Sequence, residues 1–221
     1  MRQWWNDPAL RPVVAASATL GVAVGVFGVA FGVGAVAAGA TVLQACAMSL
    51  LVFTGASQFS AVSVVAGGGS TWSALGGAMV LAARNGVYGL TMADRLDGRL
   101  ATRLVAAQLT IDESTAMATS QPSLQMQRVA FWVTGVAVYL TWNIGTLVGA
   151  LAGSLIDPHT YGLDAAFPAG FVAMIAPQLR SRQGLFAAIL GATIALVLVP
   201  LAPVGVPILV ASLAVLVGVR R

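Results

Sequence analysis

The sequence predicts an all-α polytopic membrane protein with about seven hydrophobic segments, some of them broken. Three observations carry that prediction. Of 221 residues, 58% are hydrophobic and only 8% are charged, against about 25% charged in a soluble domain. No charged residue stands between Pro12 and Ala83. Apolar stretches near the length of about 20 residues that a spanning helix needs recur along the rest of the chain. The whole chain, 1–221, therefore reads as a single membrane domain. A net charge of +4, with arginines near segment ends, sets membrane orientation and gives no footing for nucleic-acid binding. One cysteine (Cys46) and one histidine (His159, in a short polar loop) exclude an intrachain disulfide and a clustered zinc or iron–sulfur ligand set.

Segment one covers about 13–36. It exceeds the 7–15 apolar residues of a signal peptide and reads as a retained helix, with Trp4 and Trp5 suited to the membrane interface. Gly21, Gly25, Gly28 and Gly32 fall three or four apart, so they share a face and permit close helix contact. Segment two, about 41–66, is interrupted near 55–58 by Gly55, Ser57 and Gln58. Segment three, about 72–92, holds Arg84, Asn85 and Tyr88. Residues 93–128 mix arginines with acids, and Leu96, Leu100, Leu104 and Val105 recur at helical spacing. That pattern predicts an amphipathic interfacial helix in a polar connection. Segment four is about 129–153, and segment five, about 165–179, is broken near 168–170. Segment six is about 184–200, and residues 205–221 form an extra C-terminal helix.

"GVAVGVFGVAFGVGAVAAG" (21–39) and "GVAVYLTWNIGTLVGALAG" (135–153) match at six of nineteen positions. Each is followed by a broken segment. The order predicts two repeats, 13–92 and 129–200, of inverted topology, whose interruptions meet at the membrane midplane as in many transporters. The positive-inside rule assigns 93–128, 180–183 and the C-terminus to the cytoplasm. If segment two spans, the N-terminus lies outside. If it enters and turns back, the N-terminus lies inside and every loop arginine obeys the rule. Both topologies remain open at this level.

Several side chains can carry chemistry. A helix that breaks at Gly55 and restarts near Ser57 exposes free N–H groups and the positive end of its dipole, which can hold a carboxylate. Gln58 can fix a polar group or close the gap, and the competing reading has both side chains gluing helices together. Arg84 is the one charge well inside a predicted span. It is either functional, with Tyr88 one turn on, or snorkels to the cytoplasmic end. Asp112 and Glu113 are adjacent carboxylates that repel, so one can keep a proton, as an ammonium site or proton coupling needs. The alternative is a solvated helix start. Thr141-Trp142-Asn143 is the polar spot of segment four, with Asn143 as a ligand or as a helix–helix hydrogen bond. No Ser/His/acid set, HExxH or GxxxxGK[ST] occurs, so the chain is read as no enzyme and no ATP-driven pump.

Five blocks together, "GASQFSAVSVVAGG" (55–68), "ARNGVYGL" (83–90), "IDES" (111–114), "TWNIGTLVGALAG" (141–153) and "GLDAAFPAGFVAMIAP" (162–177), resemble the AzlC family of branched-chain amino acid exporters. The resemblance spans about 13–200 in the right order. It implies a multi-pass protein of the bacterial inner membrane, acting as a secondary transporter without a cofactor. It implies leucine, isoleucine, valine and analogues as substrates, and a small hydrophobic partner of the AzlD type. The family's Asn-x-Arg-His-x-x-Tyr-Gly block is matched at Arg84, Tyr88 and Gly89, whereas Ala82 and Asn85 replace its Asn and His. In that reading Gly55, Ser57 and Gln58 receive the substrate carboxylate, carbonyls at the other broken end or a carboxylate of the Asp112–Glu113 pair the ammonium, and Phe59 and Phe171 the aliphatic side chain. A transporter or channel for another small amino acid or organic acid is the alternative.

Overall fold

The structure, a computed structural model, describes residues 10–155, 169, 172, 175, 176 and 178–216. Among these residues the regular structure is helical and no strand occurs. Phe171, Pro168 and Gly170 of the expected break, the His159 loop and both chain ends lie outside the described residues.

The frame is a pair of long helices. α1 runs Arg11–Ala37 and α7 runs Leu124–Leu155, with mean hydropathies of 2.2 and 1.4 over their most apolar windows. Both are long and apolar enough to cross a bilayer. They pack through small residues. A Cβ on Gly32 would fall on the Thr146 carbonyl oxygen, one on Gly145 on that of Gly25, and one on Gly149 on that of Val29. Ser17 and Thr134 share a 2.8 Å hydrogen bond, and Thr141 Oγ1 donates to the Gly21 carbonyl at 2.6 Å. Such bonds between helices in lipid contribute about 0.6 kcal/mol each. Contacts advance from Ser17/Thr134 through Gly25/Thr141 to Val33/Gly153. The two helices are therefore parallel, with a near end at Arg11 and Leu124 and a far end at Ala37 and Leu155.

Between them come two helical hairpins and one long helix. α2 (Val42–Val52) starts at the far end, where Thr41 and Gln44 form a reciprocal capping box at 3.2 and 2.8 Å. It descends beside α7 and stops at Phe53, whose φ of 35° is left-handed. α3 (Ala56–Ala66) then climbs back. Ala61, Val62 and Val65 of α3 line the same far-end cavity as Ala35 of α1, Ala38 just beyond it, and Gln44 and Met48 of α2. Segment two therefore enters and turns back. α4 (Thr71–Ala93) leaves the far end behind a Ser70 cap and carries the chain to the near end. There Arg95 donates to Gln127 at 2.9 Å, and Arg128 reaches the Arg95 carbonyl and Asp97.

α5 (Leu100–Gln108) and α6 (Asp112–Thr119) form the second hairpin, entered from the near end. Its tip packs into the body. Leu109, Ile111, Ser114 and Thr115 are buried, and Leu109 lies against Gly135 of α7. Residues 93–128 are thus not purely an interfacial connection. Leu100, Leu104 and Val105 are exposed as that reading requires, but the chain then dives inward. Beyond α7 come α8 (Arg182–Leu198) and α9 (Val206–Ala211), the latter running into a 3-10 turn at Ser212–Val215.

The expected inverted pairing of 13–92 with 129–200 is not seen among the described residues. Segment two does not cross, so only α1 and α4 run the length of the molecule before α7. α7 then starts where α1 starts, and the two similar blocks, 21–39 and 135–153, point the same way.

Burial is inverted relative to a soluble fold. Val22, Leu43, Leu51, Leu90, Ile144 and Leu196 are exposed, whereas Ser17, Ser49, Ser57, Gln58, Thr134 and Thr146 are almost wholly buried. An apolar exterior of this extent needs lipid around it.

Candidate functional site

The two hairpin tips meet halfway along the α1–α7 pair. Between them lies a cavity lined by Phe53, Thr54, Gly55 and Ala56 from the first tip and Ile111, Asp112 and Glu113 from the second. Arg84 of α4, Val24 of α1 and Val138 and Trp142 of α7 complete its wall. Irregular backbone at such depth survives only where protein or a polar cavity satisfies it. Here side chains do so. Gln58 Nε2 donates to the Met48 carbonyl at 3.1 Å. Gln108 Nε2 and the Tyr139 hydroxyl donate to that of Leu50 at 2.9 and 3.1 Å, and Arg84 Nη2 donates to that of Thr54 at 3.4 Å. The carbonyls around the end of α2 are thereby taken up.

The start of α3 is built differently from the sequence expectation. Gly55, with φ 58° and ψ −92°, is the N-cap residue, and the helix begins at Ala56, one residue before Ser57. A Cβ on Gly55 would meet nothing within 4 Å, so glycine is required there by conformation and not by space. Gln58 closes the turn, its Oε1 accepting from the Gly55 and Thr54 N–H groups at 3.1 and 3.3 Å. Ser57 is fully buried behind the cavity wall, and its hydroxyl has no partner.

The second tip presents another helix start. α6 carries Asp112 and Glu113 in its first turn, where acids complement the dipole. Ser114 Oγ accepts from the Ile111 N–H at 3.1 Å and donates to the Leu109 carbonyl at 2.6 Å, locking the turn. Arg84 Nη1 lies 3.4 Å from Asp112 Oδ2, with both side chains partly exposed. Arg84 thus bridges the two tips, holding a carbonyl of one and a carboxylate of the other. It does not snorkel to the near end. The result is a dipolar site, with the positive start of α3 and a guanidinium facing two carboxylates.

Of the residues singled out from sequence, Gly55, Arg84, Asp112 and Glu113 line the cavity together. Tyr88 is partly buried one turn on from Arg84 along α4 and does not line the cavity. Phe59 is buried behind, edge-on to Phe31 and Trp142 with ring centroids 5.8 and 5.9 Å apart. Asn143 is elsewhere. It donates to the Tyr139 carbonyl at 2.7 Å and accepts from Ser49 at 2.8 Å, tying α2 to α7. Phe171 lies outside the described residues. Sequence reading missed Thr54, Val24 and Trp142. Trp142 had a signal in its place between Thr141 and Asn143, the polar spot of segment four.

Comparison with known proteins gives a family context. The family model described as AzlC protein matches residues 19–156. The chain is 32% identical over 162 residues to the "Inner membrane protein YgaZ" of Escherichia coli K12, covering 68% of this chain and 66% of that protein. It is 27% identical over 187 residues to the "Branched-chain amino acid transport protein AzlC" of Bacillus subtilis 168, covering 83% and 70%. A membrane protein of Haemophilus influenzae is 26% identical over 190 residues, covering 84% and 75%. The chain thus spans about two thirds of the length of the first two of these relatives. No solved structure matches it.

Proposed function

This chain belongs to the AzlC family of membrane proteins, and from that premise we propose that it is a secondary transporter exporting branched-chain amino acids across the bacterial inner membrane. One observation carries the reading. Two interrupted helical hairpins, entered from opposite ends, bring a bare helix start, Arg84 and an acidic pair to one buried cavity. A zwitterion needs that combination. Its carboxylate goes to Arg84 and the α3 start, its ammonium to Asp112 or Glu113, and its aliphatic chain to the apolar wall. Discontinuous helices meeting at the midplane are a recurrent transporter design.

The cavity measures about 30 Å³, room for one or two waters and not for leucine. The cavity is too small for the substrate as it stands, so loading requires the tips to separate. Orientation follows the arginines. The near end, with Arg95, Arg99, Arg103 and Arg128, faces the cytoplasm, and the uncharged far-end turns at 38–41, 67–70 and 199–205 face out. An AzlD-type small membrane protein is the proposed partner, and the Asp112–Glu113 pair the proposed route for coupled protons.

Proteoliposomes holding the protein, with and without that partner, test the reading. Saturable counterflow of labelled leucine is expected, lost in Arg84→Ala and with altered pH dependence in Asp112→Asn/Glu113→Gln. Unsaturable flux would indicate a channel. Counterflow with another amino acid or organic acid, but none with leucine, would move the substrate class. Full export with unchanged pH dependence in the carboxylate variant would remove the coupling role.

A further inference from the structure

Although Asp112 and Glu113 line it, the central cavity leaves three buried polar groups of its wall without a partner. Trp142 lines it, is only 3% exposed, and has its Nε1 buried without a hydrogen-bond partner. Arg84 commits Nη1 to Asp112 and Nη2 to the Thr54 carbonyl, and its Nε is buried and unbonded. Thr54 Oγ1 is the third buried group without a partner on this wall. Indole and guanidinium nitrogens can only donate. Buried donors in native proteins are nearly always satisfied, so a set left open beside a cavity points to something that enters and accepts. A carboxylate offers about four lone-pair directions on two oxygens and fits where one or two waters fit. The start of α3, at Gly55 and Ala56, adds a positive dipole end to the same wall.

We infer that Trp142 is a ligand-binding residue: its indole N–H, with the Arg84 Nε–H and the Thr54 hydroxyl, forms the subsite for the ligand's carboxylate. This rests on the transport reading and deepens it, because it names a donor set on α4, α7 and the first tip. The indole is well fixed for the task. Its ring stacks on Phe31 at 5.8 Å and 23° and receives Phe59 edge-on at 5.9 Å. A Cβ on Gly28 would clash with the Trp142 backbone carbonyl, which pins the residue against α1. Trp142→Phe keeps an aromatic ring in that cluster and removes the N–H.

The test measures binding to the full-length purified protein of four probes: leucine, leucinamide, isovalerate and isoamylamine. The first and third carry a carboxylate, and the second and fourth do not. The wild type is expected to bind leucine and isovalerate and to prefer leucine over leucinamide. Trp142→Phe is expected to weaken both carboxylates by about tenfold or more, to leave the other two probes unchanged, and to unfold at the wild-type temperature. Should that variant fold poorly, Thr54→Val removes another member of the set, and the same selective loss is expected. Equal weakening of all four probes, or unchanged leucine binding in a folded variant, would overturn the inference. So would a wild type that takes isoamylamine but no carboxylate, or none of the four, with water the sole occupant. If isovalerate binds and is lost in the variant while leucine never binds, the subsite stands and the amino acid reading fails.

Discussion

Arg84 is where the two halves of the site are joined. It holds Asp112 at 3.4 Å and the Thr54 carbonyl at 3.4 Å. Removing it leaves a carboxylate at the centre without its cation, and the other half of the break loses a donor. Breaking a pair by deleting one partner costs more than deleting both. Arg84→Gln and Asp112→Asn are therefore expected to destabilise singly and to recover together, with a coupling of only about 0.2–1 kcal/mol in thermal unfolding, because both side chains are a third or more exposed. Strictly additive losses would mean that the contact carries no energy. Transport is not expected to recover in the double variant, because Arg84, the cation proposed for the ligand's carboxylate, is still missing. Arg84 was legible in the sequence, since no other charge lies so deep in a span. Its partner was not, because Asp112 stands 28 residues away in a stretch that reads as a polar connection. Gln58 was legible as a polar residue in an apolar run. Its work as the clasp between Met48 and Gly55 needed the path of the backbone.

At the scale of elements, the α1–α7 seam and the two hairpins do different work. The seam depends on absent side chains. Gly149→Ala would set a methyl on the Val29 carbonyl, whereas a Cβ on Gly89 of α4 meets nothing within 4 Å. Forcing the seam apart is expected to cost about 1–3 kcal/mol, against a neutral or slightly stabilising Gly89→Ala, since alanine exceeds glycine in helix propensity by about 1 kcal/mol. Denaturation of the two variants side by side checks this, and equal effects would refute the close packing. The glycine spacing of segment one disclosed this seam from sequence, and the block resembling it, 135–153, proved to be the helix packed against it. Their parallel sense was hidden, because it depends on whether segment two crosses. The second hairpin was hidden for a related reason. α5 and α6 have nine and eight residues, too short for either to read as an element that enters the membrane. The exposed Leu100, Leu104 and Val105 mimic an interfacial helix.

For the whole molecule, the decisive feature is that both interrupted segments turn back at the same depth from opposite ends. In the proposed transporter, a centre with a broken element on each side opens one way at a time. If the first tip moves, the cavity joins the far end, and if the second moves, it joins the arginine-rich end. That symmetry of access does not require inverted copies of long helices, and α1 and α7 are not inverted. It requires that residues 40 and 66 lie on one face of the membrane, which a spanning segment two forbids. Impermeant thiol labelling separates the two. In a Cys46→Ser background, Ala40→Cys and Ala66→Cys flank the first hairpin, and Ser123→Cys sits at the near end before α7. Ala40→Cys and Ala66→Cys are expected to react from the outside of intact cells. Ser123→Cys is expected to react only once the membrane is breached. Labelling of Ala40→Cys and Ala66→Cys from opposite sides would restore the crossing and displace Arg11 to the outer face. It would also dissolve the cavity, because Gly55 could no longer be the tip that meets Asp112.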